Sequence, residues 1–134
     1  MKSFSVNKPN PEGKTIIVIG AARSGTSIVG SILYHAGVYM GELTNKEQYE
    51  DSALIMNGRD IRNFNKVPEA RRSILEHKAD IISQRNIKYK TWGWKDPNVV
   101  WYYKYINNLL KNPCFIFTDR SALNIGLSSY KKDH

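Results

Sequence analysis

At 134 residues, 41% of them apolar and 24% charged, the chain fits one compact soluble domain long enough to bury a sizeable core. Its single cysteine, Cys114, excludes an internal disulfide, and no window approaches the ~20 apolar residues of a membrane span. Against 12 Asp and Glu stand 20 Lys and Arg, for a net charge of +8. Those cations are spread along the chain, which argues against specific nucleic-acid recognition and for an anionic small molecule or acidic polymer as partner.

Residues 1–14 form a polar tail with Pro9 and Pro11 and no apolar signal core, so a cytoplasmic protein is expected. The remainder, 15–134, reads as a single domain without repeat or linker. Ile16-Ile17-Val18-Ile19 predicts a buried strand over 15–19. A helix follows over 26–36, with Ile28, Val29, Ile32, Leu33 and Ala36 on one apolar face and Gly37 as its stop. After a loop over 41–50, a helix is expected from about residue 51 to 63, capped by Asp51. Pro68 opens a longer helix to about residue 85, striped by Ile74, Leu75, Ala79 and Ile82. A short strand over 90–94 carries Trp92 and Trp94, read first as core, with one of them able to line a cleft. Pro97 starts a helix with Val99, Tyr103, Ile106 and Leu110 in register. Pro113 opens the last strand, over 113–118, in which Cys114 is expected to be a buried, inert thiol. A final helix begins at Ser121, a good cap. Strands alternating with helices predict an α/β fold in three layers, a short parallel sheet flanked by helices.

Between the first strand and helix lies Gly20-Ala21-Ala22-Arg23-Ser24-Gly25-Thr26-Ser27. Backbone amides at the start of a helix lack intrahelical partners, and the helix dipole adds about half a positive charge there. Gly20 and Gly25 let the backbone turn and approach an anion. Ser24, Thr26 and Ser27 add hydroxyls, and Arg23 offers a planar fork for phosphate or sulfate oxygens. Nucleotide triphosphatases write this loop G-x-x-x-x-G-K-[ST], with the lysine on the β- and γ-phosphates. Here Thr26 stands in the lysine's place and the charge sits at Arg23, so the loop can grip an anion but lacks the usual equipment for cleaving a triphosphate. At the other end of the domain, strand 113–118 runs into Asp119-Arg120, and Ser128 follows eight residues after Arg120. Ligands of open α/β sheets bind at the carboxyl ends of the strands, where this Arg and Ser could hold a second phosphate.

With these segments in this order, the chain resembles the P-loop sulfotransferases, which use 3′-phosphoadenosine-5′-phosphosulfate (PAPS). Residues 22–27 are similar to the family's first motif, x-[RK]-[ST]-G-[ST]-[ST], and Arg120 with Ser128 to its second. Trp92-Gly93-Trp94-Lys95-Asp96-Pro97 is similar to the K-D-P segment of the tyrosylprotein and bacterial branches. Tyr49-Glu50-Asp51, with Asn57 beyond it, resembles a Y-[FE]-E-D…N stretch of bacterial members. The resemblance covers about residues 15–130. It implies transfer of a sulfonate group from PAPS to an acceptor hydroxyl by in-line displacement, with PAP as product and no metal required. It further implies that Ala22, Arg23, Ser24, Gly25, Thr26 and Ser27 hold the 5′-phosphosulfate, and that Arg120 and Ser128 hold the 3′-phosphate. Glu50 would be the general base, and Lys95, with Arg23, the cations where charge builds on the leaving oxygen. The acceptor stays open: a sugar, a peptide tyrosine, a lipid headgroup or a small alcohol. Arg59, Arg62, Arg71 and Arg72 are candidate contacts for an anionic one.

Family members run on past the second motif, and that stretch supplies adenine contacts and part of the acceptor cleft. The sequence here stops at His134, and is expected to be a reduced version, a fragment, or one subunit of a homo-oligomer that completes the cleft. Ser121-Ala122 also follows Arg120 where many relatives have Asp-Pro. Two other readings stand beside the first. The stretch from Phe115 to Asp119 looks like an apolar strand ending in the magnesium-binding aspartate of a phosphotransferase or NTPase. A catalytically silent fold could bind PAP or another anion without turnover. Glu42 and Glu47 compete with Glu50 as base, and Asp96-Pro97 has a plain role as the cap of the next helix. His35, His77 and His134 show no metal-ligand spacing.

Overall fold

Ile16, Ile17, Val18 and Ile19 are β-branched and apolar without alternation, the pattern of a strand covered on both faces. In the computed structural model, which describes residues 13–20, 25–43 and 48–118, they form the middle of β1 (Lys14–Gly20). β1 is the central strand of a three-stranded sheet ordered β2-β1-β3, with β2 (Thr91–Lys95) and β3 (Pro113–Thr118) both parallel to it. Ile17 and Val18 point to opposite faces, and both are fully buried. Three helices, α1 (Thr26–His35), α2 (Gly58–Lys66) and α3 (Pro68–Lys88), come between β1 and β2. A one-turn α4 (Tyr103–Ile106), flanked by 3₁₀ turns at Val99–Trp101 and Asn107–Leu109, connects β2 to β3. The α/β class and the parallel sheet expected from the alternation are both present. No described helix is long and apolar enough to cross a membrane.

Strand boundaries fall within one residue of expectation at each end; the helices depart more. No helix starts at Asp51. Its carboxylate is fully buried, where it pairs with the Arg85 guanidinium and accepts the backbone N–H groups of Glu42 (3.0 Å) and Ala53 (3.1 Å). After a single turn the chain extends, burying Leu54 and Met56, and α2 starts only at residue 58. Asn57 is the actual cap, its side chain accepting from the Asp60 N–H at 2.9 Å. Pro68 then separates α2 from α3, as its fixed φ and missing N–H require.

α1 is correct in extent but turned on its axis. Ile28 and Ile32, expected to face inward, are 67% and 63% exposed, and the buried positions are Thr26 and Gly30. The cause is Tyr49, which lies so close to Gly30 that a Cβ there would sit 2.9 Å from the Tyr49 Cβ. α1 therefore docks through its smallest residues.

The helix expected at Pro97 is broken into 3₁₀ and α turns, because Asp96 redirects the chain. One of its carboxylate oxygens accepts the Asn98 N–H (2.8 Å) and the other accepts the buried Tyr102 hydroxyl (2.6 Å). Val99, Ile106 and Leu110 are nonetheless buried, as their spacing implied. Trp92 and Trp94 lie two apart on one strand face, stacked at 5.4 Å between centroids and both buried, so neither lines a cleft. Around them pack Ile17, Leu54, Met56, Phe64, Ile82, Val99 and Tyr102. Cys114 is half-buried rather than enclosed.

Lys78 is a buried charge that the apolar stripe of α3 did not announce. Its ammonium donates to the Leu54 carbonyl and lies 4.1 Å from the centre of the Tyr102 ring. Burial lowers its pKa from 10.5 to about 8, against the pull of Asp96, Asp51 and Asp60. Between those two values the unfolded chain holds a proton that the folded chain has released, so stability rises with pH across that window. Lys95, also lowered, adds in the same direction, whereas Tyr102, raised by burial, opposes only above pH 10.0. Urea unfolding should therefore show a stability increase between pH 8 and 10, with Lys78→Met removing most of the slope. A flat wild-type profile over that range contradicts this account.

Candidate functional site

Gly25 precedes α1 in the left-handed backbone region, φ 95°, and no atom of the described residues outside its chain neighbours lies within 4 Å of where its Cβ would be. Conformation, not space, calls for glycine there. Gly25 at the cap position has no side chain to close the start of α1, and the first helical residues are the buried Thr26 and the half-buried Ser27. Across from this turn stands Lys95, the last residue of β2, paired in register with Val18 of β1. The Lys95 side chain runs under α1 past Gly30 and is nearly fully buried. Its ammonium donates to the Ser27 hydroxyl (3.2 Å) and to the Gln48 carbonyl. The Ser27 hydroxyl also reaches the Gln48 carbonyl, at 3.5 Å.

Among the described residues, the two oxygens that Lys95 touches are uncharged. Burial lowers its pKa, and the nearby Glu50 carboxylate, itself half-buried, acts the other way. A desolvated ammonium beside a helix start makes a positive pole facing the same small region. The segment that carries Gln48 and Glu50 is held under strain: Tyr49 between them has φ 53°, a left-handed conformation costing an aromatic residue about 1–2 kcal/mol. Asp51 follows at once and anchors the segment through Arg85, and Gly41 has no room for a side chain because the Asp51 carboxylate lies against it.

Of the sequence-derived site residues, Gly25, Thr26, Ser27, Glu50 and Lys95 fall within the described residues. Ser27 and Lys95, 68 positions apart, are in direct contact, with Glu50 in electrostatic reach of Lys95. Ala22, Arg23, Ser24, Arg120 and Ser128 lie outside the described residues, as do Glu47 and Asp119. Glu42 is exposed, and its backbone braces Asp51 and Ser52. Asp96 takes the plain role: it caps the turn after β2 and holds Tyr102. Arg71 is engaged as a clamp between α2 and α3, donating to the Phe64 carbonyl at 2.9 Å, whereas Arg59, Arg62 and Arg72 are exposed.

Two participants went unread in the sequence, the Gln48 carbonyl and Gly30, and Tyr49 was read as part of a motif but given no role of its own. A backbone carbonyl leaves no mark on a sequence. Gly30, a glycine inside a helical pattern, is a recognised sign of close approach, and here the approaching group is Tyr49. β1 and β3 end side by side, with Gly20 paired to Thr118, so the chain leaves both strands at one edge of the sheet. Among the described residues, no group of three or more His, Cys, Asp or Glu side chains could hold a metal ion.

Compared with known proteins, the chain matches no family model, no curated protein and no solved structure.

Gly30→Ala tests the contact on which this geometry rests. The added methyl must push Tyr49, an overpacking cost of about 1–3 kcal/mol, set against about 1 kcal/mol of better helix propensity. The expected net is destabilisation by roughly 1 kcal/mol in urea, whereas a stabilised variant would show that Tyr49 does not bear on α1.

Proposed function

We propose that the chain binds PAPS and transfers its sulfonate group to an acceptor hydroxyl. The observation that carries this reading is the contact between Lys95 and Ser27, which joins the glycine turn to the end of β2 in one cationic site. The fit to an anionic donor is chemical. A buried ammonium that among the described residues touches only uncharged oxygens, and the amides of a helix start that begins at a glycine, are both donors suited to sulfonate or phosphate oxygens.

In this reading the amides and hydroxyls of Thr26 and Ser27 orient the phosphosulfate, together with Arg23 and Ser24. Lys95 sets positive charge where the sulfur–oxygen bond to the phosphate breaks, and Glu50 accepts the proton of the hydroxyl whose oxygen forms the new bond. Such a reaction gains chiefly from positioning and from charge aimed at the departing oxygen. Arg120 and Ser128 would take the 3′-phosphate. Support for that second pocket is the edge shared by Gly20 and Thr118, which sends both loops off the sheet at neighbouring strand ends.

Thermal unfolding with added nucleotides, backed by calorimetric titration, tests the proposal. PAP without magnesium should stabilise the protein, and ADP, lacking the 3′-phosphate, should do so much less. Lys95→Met should weaken PAP about 10- to 100-fold, the loss of one or two charge-assisted hydrogen bonds. Because burial lowers the Lys95 pKa, PAP affinity should fall with rising pH from below the usual lysine value of 10.5. An anion raises that pKa again, so binding should take up a proton in the alkaline range, and Lys95→Met should abolish the uptake. Greater stabilisation by ATP with magnesium would favour a phosphotransferase instead. PAP binding without sulfonate transfer to any acceptor would favour a silent module.

A further inference from the structure

Beside Tyr49, on the far side of α1 from the glycine turn, the fold leaves a cavity of about 540 Å³ lined by Tyr34, His35, Tyr39, Met40, Leu43 and Tyr49, with the backbone of Gly41. Nothing in the sulfonate-transfer reading uses it. Ser27 and His35 are eight residues apart on one helix, about 12 Å at the rise of an α-helix, so the cavity is a second place rather than an extension of the first. Its volume lies in the range of small-molecule sites.

One wall is a cluster of three rings. Tyr34 and His35 meet edge to face at 5.3 Å between centroids, Tyr34 and Tyr49 at 5.7 Å, and His35 and Tyr49 at 6.4 Å. Rings at these separations pack against one another, leaving no gap between them for a cation, and what they offer the cavity is aromatic faces and edges inclined 57–80° to one another. Met40 and Leu43 add apolar contacts, and among the described residues no lining side chain carries a fixed charge. The chemistry selects a flat, uncharged ligand.

His35 adds a polar preference. Its Nδ1 lies 2.8 Å from the Ser31 carbonyl, which can only accept, and 3.4 Å from the Ser31 hydroxyl, so Nδ1 carries a proton and, in the singly protonated ring, Nε2 keeps a lone pair. A ligand hydroxyl can donate to that lone pair. Tyr39 is less available, being stacked on Tyr89 at 4.0 Å and lying 5.3 Å from the Arg85 guanidinium. Tyr49 ties the cavity to the rest of the molecule: its strained backbone turns the ring into the Tyr34–His35 cluster, while Gln48 and Glu50 on either side serve Lys95.

From this we infer a second binding site, for a small uncharged phenol, whose ring lies on the Tyr34–Tyr49 surface and whose hydroxyl donates to His35. The site stands independently of the sulfonate-transfer reading. The test compares para-cresol with 4-methylcyclohexanol, which has the same carbon skeleton but neither the aromatic ring nor the strongly donating phenol hydroxyl, by titration followed through the NMR signals of the tyrosine and histidine rings. Saturable binding of para-cresol is expected, with the saturated alcohol about tenfold weaker, since each ring contact is worth roughly two- to tenfold in affinity. Tyr34 is 47% exposed, so Tyr34→Ala should leave the fold intact while erasing most of that preference. Lys95→Met should leave it unchanged. Equal affinity for the two alcohols, wild-type affinity in Tyr34→Ala, or no saturation at millimolar concentrations would each overturn the assignment.

Discussion

A buried ion pair between Asp51 and Arg85 holds the architecture of the candidate site. It joins residue 51, at the end of the loop crossing α1, to the last turns of α3, 34 positions later. The guanidinium lies 5.3 Å from the centre of the Tyr39 ring and 5.4 Å from that of Trp92, so it also bonds the loop to the core beneath. Both members are out of water, and such a pair is costly unless its remaining valences are met. They are: one carboxylate oxygen takes two backbone N–H groups in addition to the guanidinium. What the pair secures is position. With residue 51 fixed, Tyr49 is pressed against Gly30, the Gln48 carbonyl is brought over Lys95, and Glu50 is kept within its field.

The sheet supplies the other half. β1 sits between β2 and β3, so the chain leaves β1 through the glycine turn and leaves β2 through Lys95 at adjacent strand ends. Lys95 pairs with Val18, two residues before the strand's last, and its side chain lies on the face covered by α1. The charge is thereby buried under the start of the helix instead of projecting into solvent, and among the described residues its ammonium finds only uncharged oxygens. Its lowered proton affinity and its fitness to hold an anion share this one cause.

Much of this was legible in the sequence, and the failures have physical reasons. The strands were readable because their apolar runs are short, β-branched or aromatic, and bounded by Gly, Pro and Lys. α3 was readable because Pro68 marks its start and a stripe follows. Asp51 was misread because a carboxylate before a helical pattern resembles a cap, and its true partner, Arg85, is too distant in sequence for local rules to find. Asn57-Gly58-Arg59-Asp60, which does carry the cap, was in plain view. α1 was assigned the wrong inward face because isoleucines normally outrank glycine for burial, and only the approach of Tyr49 reverses that order. The contact between Ser27 and Lys95 could be expected only from the order of the motifs, since neither residue announces the other.

The most direct test of this account follows the Lys95 ammonium by NMR titration in the wild type and in Arg85→Lys, which keeps the charge but loses the two-pronged contact with Asp51. In the wild type, Lys95 should release its proton below the ordinary lysine value of 10.5. In the variant, Gln48 should withdraw and admit water, and the titration should move back toward that value. Identical titrations in two folded proteins, or an ordinary lysine in the wild type, would contradict the claim that the ion pair builds the site.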